Sequence, residues 1–172
     1  MTAKEITDID LLKIKGKIDI IILDDTKKRK NIVYGAQSIK KQTGVLGRKT
    51  FDFDIFSNNP KENAKAVERR IEKLTSKDSF YTKPAMHPGT WKVNYKGEDN
   101  KKGTRDDIGI ADYTNSPKPK PPIKIINGIR YRTITQEAKS KRKALSQKEF
   151  KFRHEKDRED LERIKLKKVV FD

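Results

Sequence analysis

Cysteine is absent from this chain of 172 residues. That removes disulfides, zinc held by thiolates and thiol nucleophiles, and it fits a reducing, cytoplasmic setting. Apolar residues are few, 33% of the chain against 39% charged. The core is therefore expected to be modest, with part of the length in solvated helix faces or linkers. No apolar run approaches the ~18 residues of a membrane-spanning helix. The start, "MTAKEITDIDLLK", has no signal-peptide hydrophobic stretch before its acidic residues. No P-loop, Rossmann glycine fingerprint, Ser-His-Asp arrangement or internal repeat is visible.

What is abundant is positive charge: 42 Lys and Arg against 25 Asp and Glu, a formal net of +17. Such an excess says little about fold and predicts attraction to polyanions, nucleic acid first. It is concentrated late in the chain. Residues 116–172 hold 18 basic and 8 acidic side chains, while residues 1–115 hold 24 and 17. A proline-rich stretch, "SPKPKPP" at 116–122, reads as an extended connector. The expected organisation is an α/β core over 1–115 with an N-terminal helix, the connector, and a basic helical segment over 123–172.

Periodicity fills in the elements. Residues 7–23 place apolar side chains at 11, 14, 18, 21 and 22, the spacing of a helix capped by Thr7 or Asp8, although the isoleucine-rich end also suits a strand. "NIVYGAQSI" reads as a short buried strand running into a glycine turn. Residues 59–74 predict a helix, with Asn59 as cap, Pro60 in the first turn and Ala64, Val67, Ile71 and Leu74 on one stripe. Residues 76–89 read as loop. "TWKVNY" and "DIGIADY" read as strands joined by the long hairpin loop 96–105. The tail from Thr135 reads as helical, with Ser146 and Glu149 as a capping box before a last helix.

The stretch "RKTFDFDIF", residues 48–56, alternates apolar and acidic residues. On a strand, positions i and i+2 share a face. Asp52 and Asp54 then project together while Phe51, Phe53 and Ile55 anchor the other side. Adjacent carboxylates repel unless a proton, a Lys or Arg, or a divalent cation neutralises them. Hard oxygen ligands on a rigid strand suit Mg²⁺. The plain alternative is an amphipathic strand with its acidic face in water. Upstream, Gly35 would let a phosphate approach the backbone, and a helix starting nearby offers free N–H groups to an anion.

The ordered set "VYGA", then "RKTFDFDIF", then "TWKVNY…IGIADYT" resembles the DNA polymerase β-like nucleotidyltransferase superfamily. The matching pattern is apolar-Gly-[Gly/Ser], a spacer, apolar-Asp-apolar-Asp-apolar, and a third acid on a later strand. The tail "RYRTITQEAKSKRKAL…FKFRHEKDREDLERI" is similar to the helical segment of small members. The resemblance spans roughly residues 30–165 and departs at Ala36, where the family has glycine or serine. It implies an α+β fold: a mixed sheet of about four or five strands with helices mainly on one face and a C-terminal helical segment. It implies a transferase that moves a nucleotidyl group from an NTP to a hydroxyl acceptor; small members act on tRNA or on antibiotics, and the basic surface favours a nucleic acid such as tRNA, RNA over DNA, over a small molecule. By the same resemblance Asp52, Asp54 and Asp112 are the catalytic acids and hold Mg²⁺, two ions, with Asp107 the fallback third acid. Gly35, Ala36, Ser38, Arg48, Lys92, Arg153 and Lys156 face the nucleotide. Lys139, Lys141, Arg142 and Lys143, in the charge run "KSKRK", are the candidates for nucleic-acid contact. The competing reading is the same fold with lapsed catalysis, a basic nucleic-acid-binding or assembly component, viral or ribonucleoprotein. His87 in "AMHPG" reads as structural and His154 as an exposed helix residue. Trp91 with Tyr95 suits either packing on the sheet or stacking a base.

Overall fold

The computed structural model describes residues 9–44, 50–75, 78–97 and 99–171. The chain runs α1 (Ile9–Arg29), β1 (Ile32–Tyr34), α2 (Ala36–Thr43), β2 (Phe53–Ser57), α3 (Pro60–Glu72), β3 (Phe80–Pro84), β4 (Thr90–Tyr95), β5 (Ile108–Asn115), β6 (Ile123–Ile126), β7 (Ile129–Arg132), α4 (Ile134–Leu145), a 3₁₀ helix (Lys148–Arg153) and α5 (His154–Phe171). The strands form one mixed sheet of seven in the order β3-β4-β5-β2-β1-β7-β6. Pairs β2–β5 and β1–β7 are parallel and the others antiparallel.

Alternation along the strands sorts the sheet into two faces. Val33, Phe53, Ile55, Val93, Ala111, Tyr113 and Tyr131 bury into one core with Leu11, Ile18 and Ile22 of α1 and Ala64, Val67 and Ile71 of α3. Each of the valine, leucine and isoleucine side chains contributes roughly 1.5–3 kcal/mol on burial. Residues one step along each strand face the other way: Tyr34, Asp54, Lys92 and Asp112. Beside that face α2, α4 and α5 share a smaller apolar cluster of Ile39, Ala138 and Ile164.

Several expectations are corrected. The sheet has seven strands rather than four or five. Residues 80–84, read as loop, form β3; Pro84 is tolerated because β3 is an edge strand. The segment from residue 123 opens with a β-hairpin turning at Asn127 and Gly128, both at positive φ, and its helices begin at Ile134. The isoleucine-rich end of α1 is helical as far as Arg29, and its expected cap at Thr7 or Asp8 lies outside the described residues. Ser146 closes α4, its Oγ donating to the Lys143 carbonyl (2.6 Å), instead of opening the next helix. Pro60 does stand in the first turn of α3, but Asn59 donates to the Glu62 carboxylate (2.6 Å) and leaves the helix amides uncapped. Among the described residues no helix is long and apolar enough to cross a membrane.

Candidate active site

The parallel pairing of β2 with β5 sets Asp54 directly opposite Asp112. Asp52 sits in the bend that leads into β2, one step outside the strand itself. The three carboxylates each bring an oxygen within 4.8 Å of the others. Asp52 is exposed; Asp54 and Asp112 are half-buried. The neighbouring strands extend the row: β4 places Lys92 beside Asp112, and β1 places Tyr34 beside Asp54. Lys92 Nζ donates to both Asp112 oxygens, at 3.3 and 3.2 Å.

The charges are unevenly settled. Burial, then the charges of Asp52 and Asp112, push the Asp54 carboxyl up to about 7, against the pull of Lys141 and Arg153. Burial also raises Asp112, with Lys92 opposing. Burial and the Asp54 charge keep the Tyr34 hydroxyl protonated well above its ordinary range, and it donates to Thr114 Oγ1 at 3.2 Å. Three converging carboxylates with one lysine among them leave negative charge over, and hard oxygen donors in such a set fit a divalent cation of the Mg²⁺ kind.

Gly35 turns the chain from β1 into α2 at φ 70. A Cβ there would lie 2.8 Å from Asp54 Oδ2, so both the backbone conformation and the close approach demand glycine. Gly35, the N-cap residue of α2, has no side chain with which to cap its first turn. Beside this turn opens a cleft of about 400 Å³. Asp54, Asp112, Gly35 and Tyr34 line it from the sheet, Lys141 and Arg153 from the helices, and His87 from the β3–β4 loop.

Among the residues expected from sequence, the structure thus gathers Asp52, Asp54, Asp112, Gly35, Lys92 and Arg153. It does not gather all of them. Ser38 is buried, its Oγ donating to the Arg132 carbonyl (2.6 Å) and accepting from Gln42 Nε2 (2.9 Å), which occupies the hydroxyl internally. Ala36 starts α2. Lys156 is half-buried and off the cleft wall. Arg48 lies outside the described residues. Asp107 belongs to a separate group with Asp99 and Asp106 in the β4–β5 loop, accepting from the Tyr81 hydroxyl and the Gly103 N–H.

In the charge run, Lys139, Arg142 and Lys143 are exposed. Lys141 is not a surface contact: it is buried between Asp157 (3.2 Å) and Asp160 (3.4 Å), because helical spacing turns it inward onto α5. His154 is half-buried, its Nε2 within 2.9 Å of the Ala144 carbonyl and 3.1 Å of the Gln147 carbonyl. Trp91 and Tyr95 lie on the core side of the sheet, so the packing alternative holds for both. Sequence reasoning passed over Tyr34, Arg132, Glu137 and the cleft position of His87. The Asn127-Gly128 hairpin signal would have placed Arg132 at the end of a strand.

No protein-family model matches the chain, and no curated protein sequence does. Solved structures do. The crystal structure of the Megavirus polyadenylate synthase superposes with a TM-score of 0.67 at 16% identity, covering 95% of this chain and 38% of that one. The crystal structure of JHP933 from Helicobacter pylori gives a TM-score of 0.50 at 12% identity, covering 84% of this chain and 60% of that one. The fold is the polymerase β-like nucleotidyltransferase fold. This chain spans well under half the length of the polyadenylate synthase to which it is similar.

Proposed function

We propose that this chain is a metal-dependent nucleotidyltransferase that moves a nucleotidyl group from an NTP to a hydroxyl at the end of a nucleic acid, RNA before DNA. The observation that carries the reading is the convergence of Asp52, Asp54 and Asp112, the last two of which line a cleft beside the Gly35 turn. Support for an RNA acceptor comes from the net charge of +17 and from the name of the similar Megavirus protein, a polyadenylate synthase.

In this reading the three aspartates hold Mg²⁺, which supplies activation of the attacking hydroxyl and charge neutralisation on the triphosphate. Attack on the α-phosphorus forms the new phosphodiester and expels pyrophosphate. Asp112, half-buried and raised, is placed to accept the hydroxyl proton. The amides in the first turn of α2, which Gly35 cannot cap, offer donors to phosphate oxygens. Lys92 offsets charge on Asp112, and Arg153, on the helix side of the cleft, offsets charge as pyrophosphate departs.

The test is incubation with labelled NTPs, Mg²⁺ and total cellular RNA, with the Asp52→Ala/Asp54→Ala protein as control. Label entering RNA with the wild type alone is the expected result. Binding of RNA with no transfer under any NTP would replace this reading with that of a catalytically lapsed binding protein.

A further inference from the structure

We infer that Arg132 is a further binding residue of this cleft, a fixed cation for the polyphosphate tail of the nucleotide, held in place by Glu137. The inference rests on the nucleotidyltransferase reading and adds to it a residue that no motif marks.

Arg132 ends β7, the strand that runs parallel to β1. Its guanidinium spreads over the rings of Tyr34 and Phe56, 5.2 and 5.6 Å from their centroids. Those rings are themselves stacked at 3.8 Å. Nε and Nη2 donate to the two oxygens of Glu137, at 2.6 and 2.9 Å. Glu137 is fully buried, and its Oε1 also accepts the Gly35 N–H at 2.9 Å. One carboxylate therefore fixes both the arginine and the glycine turn. The Arg132 carbonyl is tied as well, accepting from Ser38 Oγ (2.6 Å) and Gln42 Nε2 (2.9 Å) of α2. Among the described residues Nη1 makes no hydrogen bond, and the side chain, 14% exposed, lines the cleft beside Gly35.

A buried ion pair is a weak device for stability alone. Arginine suits this place because a planar fork can pair with a carboxylate, lie on aromatic rings and keep a third nitrogen for a ligand, which lysine cannot. The position also decides the ligand. The row across the open face reads Lys92, Asp112, Asp54, Tyr34, and then Arg132 on the next strand. Lys92 is occupied by Asp112 at one end; Arg132 stands at the other, beyond the carboxylates and next to the uncapped start of α2. An anion there meets an oriented cation and helix amides that need no rearrangement. A chain of phosphates running from the carboxylates past Gly35 reaches that point, whereas a nucleoside monophosphate held at the carboxylates does not.

The experiment is calorimetric titration of the full chain with ATP and with AMP in Mg²⁺. It compares the wild type with Arg132→Gln/Glu137→Gln, a pair that leaves net charge unchanged and keeps an acceptor for the Gly35 N–H. Loss of one charge-assisted hydrogen bond to phosphate should lower the ATP-over-AMP preference roughly ten- to hundredfold, with AMP affinity nearly constant. Arg132→Lys, which retains a cation against Glu137, gives a smaller fall in the same ratio and serves if the double variant does not fold. An unchanged ratio, or equal loss for ATP and AMP, overturns the assignment and makes the pair structural. A wild type that binds neither nucleotide overturns the nucleotidyltransferase reading itself.

Discussion

Replacing Asp54 by asparagine removes one negative charge from a group of three carboxylates. In the metal-free protein the change should stabilise the fold. The Asp54 carboxyl is pushed up to about 7 from an ordinary 3.8, by burial first and by Asp52 and Asp112 next. At ~1.4 kcal/mol per pH unit that difference sets a ceiling of about 4 kcal/mol. Asp54 is only half-buried and its cleft opens to water, so a gain of about 1–2 kcal/mol at pH 8 is expected. For a chain of this length that is a rise in melting temperature of roughly 3–6 °C. Between about pH 4 and pH 7 folded Asp54 keeps a proton that the unfolded chain has released, so wild-type stability falls through that window as pH rises and levels off above it. The asparagine protein lacks this fall, and the two should converge near pH 4. Mg²⁺ should reverse the order, since a ligand at 100 times its Kd adds about 2.7 kcal/mol to the protein that binds it. The assay is thermal melting in EDTA and in Mg²⁺ at pH 4.5 and 8. A lower melting temperature for Asp54→Asn in EDTA at pH 8, or the same Mg²⁺ shift in both proteins, would refute the reasoning.

Gly35→Ala should cost roughly 1–3 kcal/mol in chemical denaturation and abolish nucleotidyl transfer, because its Cβ meets Asp54 Oδ2 at positive φ. Asp112→Asn should abolish transfer and Asp107→Asn should leave it intact, as a gel assay of labelled RNA will show, since only Asp112 stands opposite Asp54. Charge reversal of the exposed Lys139, Arg142 and Lys143 should weaken RNA binding and flatten its dependence on salt, because fewer condensed counterions are released; filter binding across a salt series checks this. Lys141→Ala should instead lower stability by about 3 kcal/mol or more in urea, because it takes a cation from two buried carboxylates.

Much of the carboxylate row was legible because it depends on period two. Phe53 and Ile55 had to enter the core, so Asp54 had to face away. In "IGIADY" Ile108 and Ile110 share the parity of Asp112 yet pack in the core; the register shift opposite Val93 and Asn94 resets the phase, so that Ala111 and Tyr113 face inward and Asp112 outward. What hid the rest was tertiary pairing. The run "IKIINGIRYR" carried a hairpin signal at Asn-Gly, but it followed a proline-rich connector and preceded strong helical periodicity, and the basic composition masked the alternation. "FYTKP" was passed over because proline argues against a central strand, a rule that β3 obeys by lying at the edge. Lys141 looked like its neighbours in a charge run; only the packing of α4 on α5 separates it from Lys139 and Arg142. Glu137 and Gly35 stand 102 residues apart, and nothing local announces that they meet.

That separation orders events on the ribosome. Strands β2 and β5, which bring the aspartates together, are complete once Asn115 has been made. The strand that flanks β1 on its other side, and the acceptor for the Gly35 N–H, come only with residues 129–137. Until then β1 is a bare edge, open to pairing with any passing strand. In chain order the cluster of acids is therefore complete before the Gly35 turn has its partners, and the proposed chemistry waits for residues 129–137 to dock.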